Sequence, residues 1–241
     1  MSNTKDSLGD RVKRYESVSK PLLMRRTPLF IRVDGKAFHT FTRGCNKPFD
    51  QDLIDCMVYA TEKTASEMQG FKLAYTQSDE ATFMLWDFDT LETSAWFDYE
   101  LNKIVSITAS MFTAYFNELW TRRNTLVYAN TTESATHMEK ARRIAFFDAR
   151  AFNVPEEDWP NVFIWRQRDW VRNSIQMVAR SLYSQKQLEG KKTADLHELL
   201  YQKDVNWADL MPQHKNGTFV LWDGSKWHDF VGYEDCKELI K

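Results

Sequence analysis

Leu29, Phe30, Ile31 and Val33 lead into a single acid, Asp34, and a glycine follows at once. This apolar, β-branched run predicts a buried extended segment, and Gly35 permits a sharp turn with close backbone approach to a ligand. The next pattern is helical. Leu53, Ile54, Met57, Val58, Thr61, Ala65 and Met68 recur at the spacing of one helix face. Asp50, after Pro48-Phe49, is placed to cap the free amides at its start, and Gly70 stops it. Residues 71–86 read as two strands joined by the polar turn Gln77-Ser78-Asp79-Glu80. A polar link over residues 87–102 precedes a second helix over 104–120, with Ile104, Ile107, Met111, Tyr115 and Leu119 on one face. Arg143-Ile144-Ala145-Phe146-Phe147-Asp148-Ala149-Arg150 reads as a further strand.

Strand, helix, strand, strand, helix, strand is the split βαβ, ferredoxin-like order: an α+β fold with helices packed on one face of an antiparallel sheet. It brings the ends of the central strands together, so that Asp34 and Asp79 meet. Two acids at neighbouring strand mouths suit a hard divalent cation such as magnesium, which binds phosphates along with carboxylates. Paired ions about 3.5–4 Å apart clamp both sides of an in-line displacement at phosphorus, so the pattern points to phosphoryl or nucleotidyl transfer.

The flanking segments are less regular. Residues 8–20 read as a short helix of mixed charge with a solvated face, and Pro21 and Pro28 bracket a connector carrying Arg25 and Arg26. Beyond Pro155 the composition changes. Residues 160–183 place Trp165, Trp170, Arg166, Arg168, Arg172 and Arg180 on a helix. Two readings of it stay open: arginines and aromatics that grip phosphates and stack on bases, or tryptophans packed inward beneath solvated arginines. Lys186, Lys191 and Lys192 extend the basic character, residues 195–202 read as a short helix, and a strand to Trp222 follows the Asn216-Gly217 turn. The expected division is a catalytic core over 1–155 and an Arg/Trp-rich helical and β-hairpin extension over 156–241, completing one compact unit.

With 32 basic and 34 acidic residues in 241, the net charge of −2 gives no overall positive field, although a local basic patch is compatible with it. Cys45, Cys56 and Cys236 are too widely spaced for a zinc knuckle or a disulfide framework and read as idle thiols in a reducing compartment. No apolar leader core follows Met1 and no long apolar run occurs later. The expectation is a soluble, cytoplasmic protein with no membrane partner. Of the five histidines only His39 lies in the suspected site; His137, His197, His214 and His228 lack metal-ligand spacing and receive no role. No nucleophile elbow, Walker loop or dinucleotide fingerprint is present.

Arg32-Val33-Asp34-Gly35-Lys36-Ala37-Phe38-His39 with Phe41-Thr42, and Tyr75-Thr76-Gln77-Ser78-Asp79-Glu80, closely resemble the two signatures of the tRNA-His guanylyltransferase family and its bacterial, archaeal and phage guanylyltransferase-like members. The likeness continues through Gly9-Asp10-Arg11, Lys47-Pro48, Lys103, Phe147-Asp148-Ala149-Arg150 and Trp165-Arg166-Gln167, and ends near Gly217-Thr218. It implies a polymerase-like palm that extends the 5′ end of tRNA in the 3′-to-5′ direction. A 5′-monophosphate is first activated with ATP or GTP. The 3′-hydroxyl of an incoming GTP or other nucleoside triphosphate then attacks it.

By the same resemblance, Asp34 and Asp79 ligate two magnesium ions, with the carbonyl of Gly35 assisting. The amides from Gly35 through Lys36, Ala37 and Phe38 to His39 cradle the triphosphate with Ser78 and Lys103. Lys47 and Asp50 match positions of the activation step, with Phe49 where the family has asparagine. Glu80, catalytic by position, points away from Asp79 in an extended chain and so supports the site rather than touching the ions. Arg150, Arg166, Arg172, Asn173 and Arg180 are the expected tRNA contacts, and the family's usual assembly implies a homotetramer. Where members acting on tRNA-His carry His-Ile-Asn-Asn, this chain reads Val171-Arg172-Asn173-Ser174. That departure favours template-directed repair of 5′-truncated tRNA. The alternatives are guanylation of tRNA-His itself, a tRNA- or nucleotide-binding module without turnover, and cyclase chemistry on the same palm.

Overall fold

A computed structural model of the chain describes residues 7–130, 139–230 and 232–233; the readings of Cys236 and His137 fall outside them. Helix α1 (Leu8–Ser17) is capped by the Ser7 hydroxyl and buries no residue, as a solvated helix should. Strand β1 (Leu29–Gly35) leads to helix α2 (Gln51–Ser66), then strands β2 (Phe71–Gln77) and β3 (Glu80–Leu85). Helix α3 (Leu101–Asn130) and strand β4 (Phe147–Asn153) follow. The remainder supplies helix α4 (Trp159–Leu182), helix α5 (Thr193–Tyr201), and strands β5 (Thr218–Trp222) and β6 (Trp227–Phe230).

The six strands form one sheet in the order β4-β1-β3-β2-β5-β6, with every neighbouring pair antiparallel. Strand alternation gives it two apolar faces. Leu29, Ile31 and Val33 point to one side, where α2 and α3 close the larger core with Phe112, Phe116 and Trp120. Phe30, Leu73, Tyr75 and Met84 point to the other, against Phe163 of α4 and Phe219 of β5. The expected single helical face therefore describes α2 and α3 only. The tail adds two strands to the edge of the sheet and lays α4 across its back. Among the described residues no helix is long and apolar enough to cross a membrane.

Two boundaries differ from the sequence pattern. Helix α3 runs past Trp120, and the polar link before it buries Trp96 and Tyr99. Strand β4 starts at Phe147 rather than Arg143. The Asn117 side chain takes both polar groups of Ala145, accepting from its amide at 2.8 Å and donating to its carbonyl at 2.9 Å, so the chain approaches the sheet held by a side chain instead of a strand. Strand β6 turns back through Asp223, whose carboxylate accepts from the amides of Ser225 and Lys226.

Gly70, between α2 and β2, has φ +79°, and a Cβ there would stand 2.4 Å from the backbone oxygen of Trp86. Strain of both kinds acts on one residue. Gly70→Ala is expected to lower the unfolding free energy by about 2 kcal/mol, read as an earlier midpoint in urea with an unchanged slope.

Candidate active site

The β1 terminus is fastened to the β2–β3 turn by one hydrogen bond: the Gly35 amide donates to the Asp79 carbonyl at 3.0 Å. Asp34 lies in register with Glu80 on one side and Asp148 on the other. Partners directly opposite in antiparallel strands project to the same face, so three carboxylates share a row. Asp79 sits in the turn just before Glu80, beside Ser78 at φ 50°. Burial pushes the Asp79 carboxyl above the usual carboxylate range and the charge of Asp34 adds to this, while the Ser78 hydroxyl, donating at 2.9 Å, and its own backbone amide oppose it.

Glu80 is buried and its carboxylate is taken. Arg166 of α4 donates to it at 2.5 Å, and both side chains are about one-tenth exposed. Burial raises the Glu80 carboxyl, and the cations Arg166 and Arg32 hold it back. Arg166 also faces Asp169 at 3.6 Å. The expectation that Arg166 contacts tRNA is corrected here: a desolvated guanidinium committed to two carboxylates is not presented to an RNA phosphate. Removing one member of such a pair costs about 3–5 kcal/mol by stranding the other charge.

The expected phosphate cradle narrows for a similar reason. The Gly35 and Lys36 amides already donate to the carbonyls of Asp79 and Phe146, at 3.0 and 2.8 Å. The amides of Ala37, Phe38 and His39 have no backbone acceptor among the described residues. Ala37 takes φ 53° and begins the helical turn Phe38–Phe41. The Phe38 ring is core, packed on Phe41 and Phe147 at 4.9 and 5.1 Å, and a Cβ on Gly35 would fall 2.3 Å from it. Gly35 is thus required by close packing.

Beside this loop opens a cleft of about 460 Å³. Phe38, His39, Lys47, Asp50, Ser78, Asp79 and Arg180 of the expected site residues line it. Asp50 caps α2 as its position predicts, accepting from the Leu53 amide at 3.2 Å, and its other oxygen takes the Asn46 amide at 2.8 Å. The opposite wall is Trp170 and Met177 of α4. Trp170, one of the aromatics singled out on this helix, is buried, and Met177 escaped sequence reasoning because helical spacing alone does not say which neighbour a stripe faces. His214, given no role, stacks at 4.5 Å on Phe49, which meets Trp170 edge-on at 6.2 Å.

Lys103 is not brought to this site. Thr113 and Asn117 reach the chain at the Gly35 end of the sheet. Lys103 lies ten residues earlier on α3, about 15 Å along the axis, with its ammonium 4.8 Å from the centre of the Phe97 ring. Arg150, Arg172 and Arg180 are exposed. Arg150 pairs with Asp148 at 3.2 Å, Arg172 pairs with Asp169, Asn173 donates to Asp169 at 3.2 Å, and Arg180 reaches Gln176 at 3.5 Å.

The raised Asp79 carboxyl has a definite sign for stability. The folded state holds that proton more tightly than the unfolded chain. Its contribution is therefore complete below the ordinary carboxylate range and lost as pH climbs through the raised value. In metal-free buffer at pH 7, Asp79→Asn is expected to melt about 2–4 °C higher than the parent, with the gap closing as pH falls toward the ordinary carboxylate range. Equal melting of the two proteins at pH 7 would mean that burying the Asp79 charge beside Asp34 carries no penalty.

The model of the tRNAHis guanylyltransferase family, Thg1, matches residues 9–155. A bacterial Thg1-like protein solved in complex with ATP is 37% identical, with a TM-score of 0.85 and coverage of 97% of this chain and 99% of that one. A bacterial Thg1-like protein in complex with GTP is 34% identical, with a TM-score of 0.77 and coverage of 98% and 97%. The tRNA(His) guanylyltransferase of Schizosaccharomyces pombe is 26% identical over 95% of this chain and 85% of its own. The chain belongs to the tRNAHis guanylyltransferase family of nucleotidyltransferases.

Proposed function

We propose that this enzyme adds nucleotides to tRNA 5′ ends in the 3′-to-5′ direction, copying the opposing strand, and so repairs 5′-truncated tRNA with ATP, GTP and other nucleoside triphosphates. The observation that carries this reading is the hydrogen-bonded junction of Gly35 with Asp79, which sets two carboxylates at one strand mouth beside a cleft of nucleotide size. The β4-β1-β3-β2 order supports a polymerase-type palm over residues 1–155, with 156–241 as the extension that closes its back.

Two carboxylates and a backbone carbonyl suit magnesium, which keeps several waters and completes its shell with substrate phosphates. Asp34, Asp79 and the Gly35 carbonyl would hold the ions, and Asp79, crowded by Asp34, gains a counter-charge from them. When bound they would neutralise charge developing on the reacting phosphates. Lys36, Lys47 and the amides of Ala37, Phe38 and His39 receive the triphosphate, with Ser78 beside them. Asp50 holds the loop that carries Lys47. The 5′-phosphate of the tRNA attacks the α-phosphorus of ATP and releases pyrophosphate; the 3′-hydroxyl of the incoming nucleotide then attacks the 5′-phosphorus and releases AMP. Glu80 acts through position alone, because Arg166 occupies its carboxylate.

The segment at the lost histidine motif supports templated repair over dedicated guanylation. Ser174 is buried and accepts from the Trp207 indole at 3.0 Å, and Val171 packs toward α5. Those positions serve packing here; Arg172 is exposed, and half-buried Asn173 donates to Asp169. The same resemblance gives a cytoplasmic homotetramer, which sedimentation of the purified protein tests.

The decisive assay is 5′ extension with magnesium on a tRNA lacking its first nucleotide, with the template base varied, beside full-length tRNA-His. Addition that follows the template base is the expected result; G added to tRNA-His regardless of the opposing base would establish the guanylyltransferase reading, and no incorporation would leave a binding module. Asp34→Ala and Asp79→Ala should each lose about 10²-fold or more in rate with the fold intact. Replacing Arg172 and Arg180 together by Ala should lower the slope of log affinity against log salt by about 1–2. An unchanged slope would make them a solvated face.

A further inference from the structure

Of the 16 phenylalanines in the chain, Phe146 alone is exposed, at 58%. It stands beside the proposed reaction centre, since its carbonyl accepts the amide of Lys36, two residues beyond Asp34. The exposure is built. Asn117 clamps both polar groups of Ala145 and Thr113 accepts the Phe147 amide at 3.3 Å. Ala145 and Phe147 are thereby turned into the core, and the intervening ring is turned out. Arg143, donating to the Phe41 carbonyl at 2.9 Å, ties the same stretch to the phosphate loop. A phenyl ring held outward between two anchored residues forgoes about 2 kcal/mol of burial, and that cost is offset when a partner covers it.

We propose that Phe146 is a stacking platform for the first base of the RNA whose 5′-phosphate reaches Asp34 and Asp79. This rests on the reading of the chain as a 5′-end nucleotidyltransferase. A nucleobase presents a flat apolar face with phosphates on either side, and an aromatic ring among cations is the surface that binds it. Lys36 and Arg142, both exposed, supply those cations. A second copy of the chain fits less well. Ile144 and Phe146 are the exposed large apolar side chains of the stretch, and two side chains present far less than the ~800 Å² per partner of a stable interface. Stacked there, the first base is held against sliding while its phosphate is activated.

The test is a cycle between the ring and the base, using the full chain and an RNA hairpin with a 5′-monophosphate whose first nucleotide is either normal or abasic. Phe146→Ala should weaken binding of the normal hairpin about tenfold, while the abasic hairpin binds parent and variant equally. Phe146→Trp should keep the affinity of the parent, and Leu91→Ala, at another exposed apolar site, should not move it. Equal loss on both hairpins, or no loss on either, overturns the proposal. So does dissociation of an oligomer by Phe146→Ala in sedimentation, which would make the ring a contact between copies. If the parent binds the hairpin in this base-dependent way but incorporates no nucleotide, the catalytic reading fails and the platform stands; if the parent does not bind the hairpin, both fall.

Discussion

Two carboxylates of like charge must be kept close together on a backbone that water and thermal motion would otherwise let spread. The Gly35–Asp79 hydrogen bond does this, and the sheet exists to make it rigid. β1 lies between β3 and β4, so neither end of the Asp34 row is free to shift by a residue without turning apolar Val33 and Ile31 away from the larger core. The register that buries the apolar residues is the register that aligns the acids. Arg166 adds a second tie, from α4 to Glu80, across the face that the two early helices leave bare.

Most of this was readable from the chain. The run into Asp34, the stripe from Leu53 to Met68 and the Ser78-Asp79 turn each carry a strong local signal, and together they define the first three strands and the helix between them. The positions that escaped were set by partners distant in sequence. Nothing local says that Asn117 replaces a strand for Ala145, 28 residues away, or that α4 crosses the back of the sheet. Arg166 looks like any basic residue of an arginine-rich helix until Glu80 is found 86 residues earlier. Phe49 marked a departure from the family pattern, but its stacking with His214 and Trp170 needs three separate segments to meet.

Backbone donors illustrate the same limit from another side. A loop after a strand looks rich in free amides, yet two of the five from Gly35 to His39 are taken by the Asp79 and Phe146 carbonyls. What remains is a shorter cradle, set at the start of the turn that Ala37 opens and Phe38 pins into the core. The ring is structural while its amide is free, so one residue anchors the loop and offers a donor with different atoms.

Helix α4 carries several duties along its length. Arg166 addresses the acids, whereas Trp170, Met177 and Arg180 follow at spacings of four, seven and three to line one wall of the cleft. Ile175, Val178 and Ala179 meanwhile lock onto Leu196 and Leu200 of α5. The acid-binding arginine ends in the Glu80 carboxylate, whereas the wall residues after it on the helix face open space, so substitution of Met177 or Arg180 can reshape the cleft while the Arg166–Glu80 pair stays in place. A lineage built on this helix can change what it accepts by drift along a single stripe, and its reaction is inherited intact.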